Sequence, residues 1–334
     1  MANIHIPVSV LDLGPLRKGE SIKQAIDSMV NLAQATEEMG YTRYWISEHH
    51  NTASLISSAT SILIKHILEH TEKIRVGAGG IMLPNHAPLV VAEQFGTMAN
   101  IYPNRLDLGL GRAPGTDMLT ASALRRSHNE DSVYSFPKDI QELLQYFGSA
   151  KDQGHVKANV AINTNVPLYI LGSSPNSAYL AAELGLPYLF ASHFAPRYME
   201  EAISIYRKEF KPSHYLDSPH MTACLNVIAA ESDKEAKREL TTLQQFFLNV
   251  VRGDQEPLVP PVDNMDELWS PQEKAAVSSM ISVTFSGDKD STRKQLTNFQ
   301  EKYNVDEIMA VTYIYDQEKQ KRSYEIFKDV AEGK

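Results

Sequence analysis

The chain has 334 residues, of which 43% are hydrophobic and 22% are charged, and its formal net charge at pH 7 is −9. These values are typical of a globular protein with a large core, and the acidic balance argues against nucleic acid or an anionic membrane surface as the main partner. The sequence has no apolar run of the roughly 18 residues that a membrane span needs, and its first residues lack the charged and apolar regions of a signal peptide. The one cysteine, Cys224, cannot form an intrachain disulfide. We therefore expect a cytoplasmic protein.

Strand-like and helix-like segments alternate from one end of the chain to the other. The strand-like segments are short and almost continuously apolar, and we predict eight of them, at 8–13, 41–50, 74–83, 105–111, 168–174, 186–194, 223–230 and 307–315. Apolar residues at helical spacing fill the intervals, as in Val91, Phe95, Met98 and Tyr102. Such strands indicate a parallel sheet covered by helices. The prediction is an α/β fold, a (β/α)8 TIM barrel formed by one domain over residues 1–334, with an open doubly wound sheet as the alternative.

Some segments depart from this alternation. We predict polar loops at 116–135 and 148–166, and a helix that begins near Ser54 and ends at His70. Residues 253–283, after the seventh strand and its helix, are acidic and rich in proline, with one helical piece near 271–280. We interpret this last segment as an insertion in the barrel.

Polar residues and glycines gather after the predicted strands at one end of the barrel. In TIM barrels the functional site lies at the C-terminal ends of the strands. There the sequence places Asp12, Glu48, His49, His50, Gly79, Gly80, Arg112, Ser173, Ser174 and His193. We assign Asp12, His50 and His193 to a substrate pocket at this end.

The third and fourth predicted strands contain five glycines, Gly77, Gly79, Gly80, Gly109 and Gly111. Glycine weakens the interior of a strand, so it usually marks a bulge or the close approach of a ligand or another backbone. We interpret these glycines as the floor beneath a ligand.

Glu48, His49 and His50 are consecutive at the end of the second predicted strand. One interpretation is a metal site, although adjacent residues of a strand point to opposite faces, which makes chelation by both histidines difficult. A second is one imidazole in the pocket as an acid, a base or a hydrogen-bond donor. A third is a pair of histidines that only ends the strand. We predict no metal.

The turn from Gly172 to Ser177 joins the fifth strand to a helix. Amide groups at a helix N-terminus, together with serine hydroxyls, bind phosphate well. The same residues also form an ordinary helix cap, so the turn alone leaves both interpretations open. Arg112, at the end of the neighbouring strand, could supply a charged fork to the same phosphate, although an arginine there is more often part of a surface salt bridge.

Four motifs together carry a family resemblance: Trp-Ile-Ser-Glu-His-His at 45–50, Gly-Ala-Gly-Gly-Ile-Met-Leu-Pro at 77–84, Ala-Glu-Gln-Phe at 92–95, and Arg-Leu-Asp-Leu-Gly-Leu-Gly-Arg at 105–112. With them the chain resembles the bacterial luciferase-like monooxygenase family, and more narrowly its luciferase-like oxidoreductase subgroup. The resemblance covers nearly the whole chain.

The resemblance implies a TIM barrel that binds reduced FMN and oxidises a small organic substrate with O2. His49 matches the catalytic histidine of the family. The positions that match cofactor contacts are Gly79 and Gly80, where luciferases have a non-proline cis peptide under the flavin ring, and Arg112, Ser173, Ser174 and Ser177 around the flavin phosphate. A separate flavin reductase and a homodimer are expected from the resemblance as well.

Two features of the sequence bear on this expectation. Gly111 stands where luciferases carry a reactive cysteine, so light emission is not implied. Residues 253–283 lie where the family places a mobile segment, which makes them a candidate lid. The alternative functions are a deazaflavin-dependent oxidoreductase that transfers hydride and a flavin-binding protein without catalysis. The retained His49 argues against the second alternative.

Overall fold

A computed structural model gives the fold, and it describes residues 5–125 and 135–334. This part of the chain contains nine strands: β1 (Val8–Asp12), β2 (Arg43–Ile46), β3 (Arg75–Met82), β4 (Leu106–Gly111), β5 (Leu168–Gly172), β6 (Tyr188–Ala191), β7 (Met221–Ala229), β8 (Thr284–Gly287) and β9 (Glu307–Val311). It also contains eleven α-helices: α1 (Ile22–Glu38), α2 (Thr60–His70), α3 (Pro88–Ile101), α4 (Met118–Arg125), α5 (Phe136–Phe147), α6 (Pro175–Leu184), α7 (Met199–Glu209), α8 (Asp233–Arg252), α9 (Pro271–Met280), α10 (Lys289–Tyr303) and α11 (Gln317–Ala331).

Eight of the strands close into a parallel barrel. β1 to β6 pair in chain order, β6 pairs with β7, β7 pairs with β9, and β9 pairs with β1. Helices separate most successive strands, as parallel connections require. The predicted (β/α)8 TIM barrel is therefore confirmed. The open doubly wound sheet is excluded, because the last strand closes onto the first.

The ninth strand, β8, forms a fork in the barrel wall. Residues 221–224 of β7 pair with β6, whereas residues 226–229 pair with β8. Because β6 ends at Ala191, opposite Cys224, the wall between β6 and β7 stops halfway toward the C-terminal end. The sequence analysis missed β8. It has only four residues, and its alternating burial gives it no continuous apolar run.

The side chains of each strand divide between two cores. Val10 and Tyr44 are partners in the register of β1 and β2 and belong to the outer core, between the strands and the helices. Leu11 and Trp45, one residue further on, belong to the inner core, inside the barrel. This division follows from the alternation of side chains along a strand. It explains why both sets of positions are apolar in the sequence.

The inner core accounts for the glycines of β3 and β4. A Cβ atom on Gly79 would lie 2.5 Å from Leu11 Cδ1, and one on Gly80 would lie 2.5 Å from Leu171 Cδ1. A Cβ atom on Gly77 would lie 2.8 Å from Trp45 Nε1. A side chain at these positions would collide with neighbouring protein atoms, which explains most of the requirement for glycine there. The interpretation of these glycines as a ligand floor is corrected in this respect, although Gly79 and Gly80 do also line the cavity at the barrel mouth.

Charged groups fill the N-terminal end of the barrel interior. Asp107 is fully buried, and its carboxylate lies 2.8 Å from Arg43 Nη1, 2.6 Å from Arg75 Nη2 and 3.1 Å from the indole nitrogen of Trp45. The guanidinium of Arg43 also reaches Glu307, at 3.0 Å. Each acid is thus matched by donors of the same chain, which is what buried carboxylates require.

Residues 253–283 form the predicted irregular segment. It contains a short 3-10 turn at Met265–Glu267 and the helix α9, and it lies between α8 and β8. Two backbone hydrogen bonds of 2.8 Å join Leu258 to Leu16 and Lys18, in the loop after β1. Ser270 caps α9 with a full capping box, which agrees with the helical piece predicted near 271–280.

Several predicted boundaries differ from those observed. β2 ends at Ile46 rather than His50, and α2 begins at Thr60 rather than near Ser54. The predicted loop at 116–135 contains α4, whose first turn is capped by the Asp117 carboxylate. The side chains of α4 have no buried apolar stripe, so periodicity could not reveal it. Residues 126–134 of that predicted loop lie outside the described residues.

Candidate active site

A cavity of about 520 Å³ lies at the C-terminal end of the barrel. Its volume is typical of a small-molecule site. The C-terminal half of β3 and the loops after β1, β2, β4, β5 and β6 line it, together with α8 and the residues that follow α8. The predicted site residues found in its lining are His49, His50, Gly79, Gly80, Arg112, Ser173, Ser174, Ser177 and His193. Their positions were correctly predicted, and their roles stay predictions.

Asp12 is the one predicted site residue that does not line the cavity. Its carboxylate accepts a hydrogen bond from the Tyr44 hydroxyl and another, of 2.8 Å, from the Gly14 amide. Burial raises the pKa of Asp12, and these hydrogen bonds oppose that rise. The assignment of Asp12 to the substrate pocket is therefore corrected, because its side chain connects β1 to β2.

His49 stands in the loop that follows β2 and faces the cavity. Its Nδ1 atom lies 3.1 Å from the Ser47 hydroxyl, which is also 3.1 Å from the Ser57 hydroxyl. The other ring nitrogen has no hydrogen-bond partner within residues 5–125 and 135–334. Burial lowers the pKa of His49 to about 4, against the opposing effect of the nearby Glu48 carboxylate. The ring is therefore neutral at pH 7, with one nitrogen oriented by serine and one left for a ligand.

The Glu48 carboxylate ties the ends of β2 and β3 together. It accepts hydrogen bonds of 2.8 Å from Nε2 of both His50 and His86, and one of 3.0 Å from the Met82 amide. Burial would raise the pKa of Glu48, but the hydrogen bonds from the two imidazoles lower it to about 2. Asn85 adds a bond of 2.7 Å to the Pro114 carbonyl. Glu48 thus fixes the loops that carry His49 and Arg112.

The sequence analysis missed His86 and Asn85. The only available signal was a pair of polar residues three and four positions after the end of β3. His49 and His50 both line the cavity, contrary to the argument from opposite strand faces, because β2 ends before them. Across the described residues, no group of three or more His, Cys, Asp or Glu side chains is arranged to hold a metal ion.

His193 lies across the barrel mouth from His49. β2 and β6, which precede the two histidines, are separated by three strands on one side and three on the other. Burial lowers the pKa of His193 to about 3, and a charge on His49 would lower it further. Nδ1 of His193 is buried without a hydrogen-bond partner among the described residues. Two neutral imidazoles therefore face each other across the cavity.

Arg112 and the serine turn form one side of the cavity, which we call the β4–β5 side. Arg112 follows β4 directly, is exposed, and makes no hydrogen bond or ion pair with the described residues. Ser174 occupies the N-cap position of α6, yet its hydroxyl makes no capping hydrogen bond. Ser177 donates to the Ser174 carbonyl at 2.7 Å. The Ser174 hydroxyl is thus a donor without a capping bond to the described residues.

The opposite side of the mouth is an aromatic wall, defined by Phe246, Phe247 and Tyr313. The ring centroid of Tyr313 lies 4.7 Å from that of Phe246 and 6.2 Å from that of Phe247. Val250 and Met280 extend this surface along α8 and α9. The sequence analysis did not assign Phe247 or Val250 to the site. Nothing in their spacing distinguishes a cavity wall from a core face.

Two further features agree with the expected cofactor site. The peptide bond between Gly79 and Gly80 is cis, as the resemblance implied. At Gly111, a Cβ atom would lie 2.5 Å from Met82 Sδ, so a flexible thioether occupies the space of the cysteine that luciferases carry there.

In the part of the chain that the structure describes, no helix is long and apolar enough to span a membrane.

Known proteins resemble this chain over its whole length. The family model described as luciferase-like monooxygenase matches residues 6–303. The uncharacterized protein YddN of Bacillus subtilis (strain 168) is 48% identical over 325 residues, with 97% of this chain and 96% of that protein covered. A luciferase-like monooxygenase of Escherichia coli (strain K12) is 43% identical over 332 residues, with 99% of each covered.

Solved structures share the fold as well. Apo-MsnO8 superposes with a TM-score of 0.86 at 30% identity, over 98% of each chain. A type II Baeyer–Villiger monooxygenase in complex with FMN and an F420-dependent secondary alcohol dehydrogenase, at 16% and 14% identity, share the fold with TM-scores of 0.72 and 0.65. The match over residues 6–303 and the relatives at 43% and 48% identity show that this chain belongs to the luciferase-like monooxygenase family and is an oxidoreductase that incorporates oxygen from O2.

Proposed function

We propose that the protein is a two-component monooxygenase, which takes reduced FMN from a separate reductase and oxidises a small organic substrate with O2. The observation that supports it most strongly is the β4–β5 side of the cavity. There the Arg112 guanidinium, which has no hydrogen bond or ion pair with the described residues, stands beside the serine turn in the cavity that His49 also lines.

The residues present fit FMN. A phosphate dianion needs several donors, and a guanidinium fork and a helix N-terminus are the groups that bind it best. Arg112, Ser174 and the first turn of α6 provide them. The ring system needs a flat apolar bed, for which Leu11, Leu171 and the cis peptide of Gly79 and Gly80 are in position.

Reduced flavin supplies the electrons that activate O2, and the protein supplies position and shelter. Neutral His49 has one ring nitrogen oriented by Ser47 and one facing the cavity. At pH 7 the ring therefore donates a hydrogen bond or accepts a proton, and it does not hold a resident charge. Ser47 keeps the ring in one orientation, which places that exchange at the cavity side.

The proposal is tested by titration of the purified protein with FMN, first oxidised and then reduced under anaerobic conditions. We expect reduced FMN to bind at least tenfold more tightly than oxidised FMN. We also expect O2 to be consumed when a substrate is present. Binding of a deazaflavin with no binding of either form of FMN would instead support hydride transfer, the chemistry suggested by the F420-dependent structure.

The role of His49 is tested separately. His49→Ala should bind reduced FMN normally and lower turnover by a factor of about 100 or more, the usual contribution of a general acid or base. His155→Ala is the matched control, because it removes an exposed imidazole outside the cavity lining. Unchanged turnover in His49→Ala contradicts the assignment.

Residues 253–283 are proposed as a lid over the bound cofactor. Asp254, Gln255 and Met280 of this segment line the cavity, so its position controls water access. Hydrogen exchange of these residues should slow when reduced FMN binds. Exchange that is equal with and without reduced FMN contradicts the lid.

A homodimer and a cytoplasmic location belong to the same proposal. Ile62 on α2 and Val90 and Ile101 on α3 are exposed on adjacent helices beside the barrel, which is the composition of an interface. Light scattering should give twice the mass of one chain, 37.3 kDa. Ile62→Asp should lower it to that of a monomer, and cell fractionation tests the location.

A further inference from the structure

The charge of the cavity differs between its two sides. Among the described residues, the lining contains one cationic side chain, Arg112, and three carboxylates, Glu48, Asp117 and Asp254. His49 and His193 add no positive charge at pH 7, because their pKa values are about 4 and 3. The lining is therefore acidic once Arg112 has a partner.

The distribution of these charges follows the barrel topology. Arg112 and the N-terminus of α6 lie on the β4–β5 side, where the Asp117 carboxylate already accepts hydrogen bonds from Asn51 and Thr120, and β9 and β1 stand opposite in the eight-strand circle. On that far side are the aromatic wall and the C-terminal end of α8, whose last carbonyls carry partial negative charge. Asp254 lies directly beyond α8, and its carboxylate has no hydrogen bond or ion pair with any described residue.

We propose that the far side of the cavity binds an uncharged substrate with an apolar body, and that Asp254 and the end of α8 exclude organic anions from it. This inference rests on the proposed function, because the flavin phosphate must engage Arg112. An anion at the aromatic wall would then meet no cationic side chain of the described cavity lining, since Arg252 at the end of α8 is paired with Glu273 and lies outside that lining, and burial of an unpaired charge is strongly unfavourable.

The aromatic wall gives the substrate its apolar contacts. Phe246, Phe247 and Tyr313 are contiguous with Leu13 and Leu55, which also line the cavity. Rings and branched aliphatic side chains favour burial of a hydrocarbon body. The ring of His193, which follows β6, adds a neutral hydrogen-bonding group to the cavity, because its buried Nδ1 has no partner among the described residues.

The experiment compares two probes of matched length, methyl octanoate and octanoate, on protein saturated with reduced FMN under anaerobic conditions at pH 7.5. Calorimetry gives the dissociation constant of each. We expect the ester to bind at least tenfold more tightly than the carboxylate. Asp254→Lys should reduce that preference to about threefold or less. Asp217→Lys, an equal charge change at an exposed residue outside the cavity lining, should preserve it.

The outcomes separate the two proposals. A protein that does not bind reduced FMN contradicts the proposed function before any probe is added. A protein that binds reduced FMN but prefers octanoate, or binds neither probe, overturns the inference alone. Asp254→Asn repeats the test with a smaller change, and a preference that is unaltered in both Asp254 variants overturns the role of that carboxylate.

Discussion

The two ends of the barrel differ in how completely their charged groups are paired. At the N-terminal end, the Asp107 carboxylate lies within 3.1 Å of donors from Arg43, Arg75 and Trp45. At the C-terminal end, Arg112 and Asp254 make no hydrogen bond or ion pair with the described residues. The charged side chains around Asp107 are paired without a ligand, whereas Arg112 and Asp254 remain available to one.

This difference separates charged groups that stabilise the fold from charged groups that remain available to a ligand. Removing one member of a buried ion cluster leaves the others without a partner, which is costly. Removing an exposed, unpaired charge costs the fold almost nothing. The comparison therefore predicts that substitutions at one end alter unfolding and substitutions at the other alter ligand binding.

The largest effect is expected at Asp107. Asp107→Asn should lower the free energy of unfolding by about 3–5 kcal/mol, because Arg43 and Arg75 then lose their shared carboxylate in the barrel interior. Denaturant unfolding followed by circular dichroism measures this loss. Asp254→Asn serves as the control at the other end and should change the same quantity by less than about 0.5 kcal/mol. Equal losses in the two variants contradict the comparison.

At Arg112 the effect should appear in binding alone. Arg112→Ala removes charge-assisted hydrogen bonds to the flavin phosphate, each of about 1.5–3 kcal/mol, so affinity for reduced FMN should fall about 10- to 100-fold. Arg112→Lys keeps the charge but not the fork and should lie between. Fluorescence titration and denaturant unfolding are measured on the same samples. Loss of stability without loss of FMN affinity would reverse the assignment of this residue.

The neutral histidines predict how stability depends on pH. The unfolded chain binds protons on His49 and His193 below pH 6.5, whereas the folded chain binds them only near their pKa values of about 4 and 3. The unfolding free energy should therefore fall as pH decreases from 6.5 toward 4, by up to about 1.4 kcal/mol per pH unit for each histidine. Glu48, with its pKa of about 2, adds a further loss below pH 4.5.

The test uses His193→Phe, which should flatten the pH dependence of the unfolding free energy between pH 6.5 and 4. Phe194→Leu is the control, because it alters packing beside the same ring without removing a titrating group. A slope that is identical in wild type and His193→Phe means that His193 is not held neutral in the folded protein.

The smallest effects compare two glycines. In Gly77→Ala, at the N-terminal end, the new Cβ would lie 2.6 Å from the Asp107 carbonyl oxygen and 2.8 Å from Trp45, and a loss of about 1–3 kcal/mol is expected. In Gly111→Ala, at the other end, it would meet the flexible end of Met82, so the loss should stay below about 1 kcal/mol. Thermal unfolding of both variants measures the difference, and a larger loss at Gly111 contradicts the comparison.

The sequence predicted the fold because the strands are apolar on both faces. Val10 and Leu11 point to different cores, and a strand buried on both sides shows as a continuous apolar run. β8 and α4 lack such a signal, since one is short and half exposed and the other has no buried stripe. Local pattern could not reveal them.

The site was predictable in position but not in detail. His49, Arg112 and the serine turn follow predicted strands, and the topology brings strand ends together. The partnership of Glu48 with His86 depends on contacts 38 residues apart, which no local pattern encodes. Asp12 was misassigned because the end of a strand does not by itself fix the direction of a side chain. The aromatic wall looks like any helix face until the barrel beneath it is known.

The fork at β7 places residues 253–283 outside the barrel strands. The chain leaves the barrel through α8 and returns through β8, whose last residue accepts a hydrogen bond of 3.0 Å at Gly287 from the amide of Ala230. The backbone amide of Asp288, the next residue, donates a hydrogen bond of 2.9 Å to the Asp233 carboxylate at the start of α8. The segment from α8 to β8 thus begins and ends at neighbouring positions beside the end of β7. Residues 253–283 lie between these two points and outside the register of the barrel strands, and Asp254, Gln255 and Met280 among them line the cavity, so substitutions there should alter ligand binding more than the barrel.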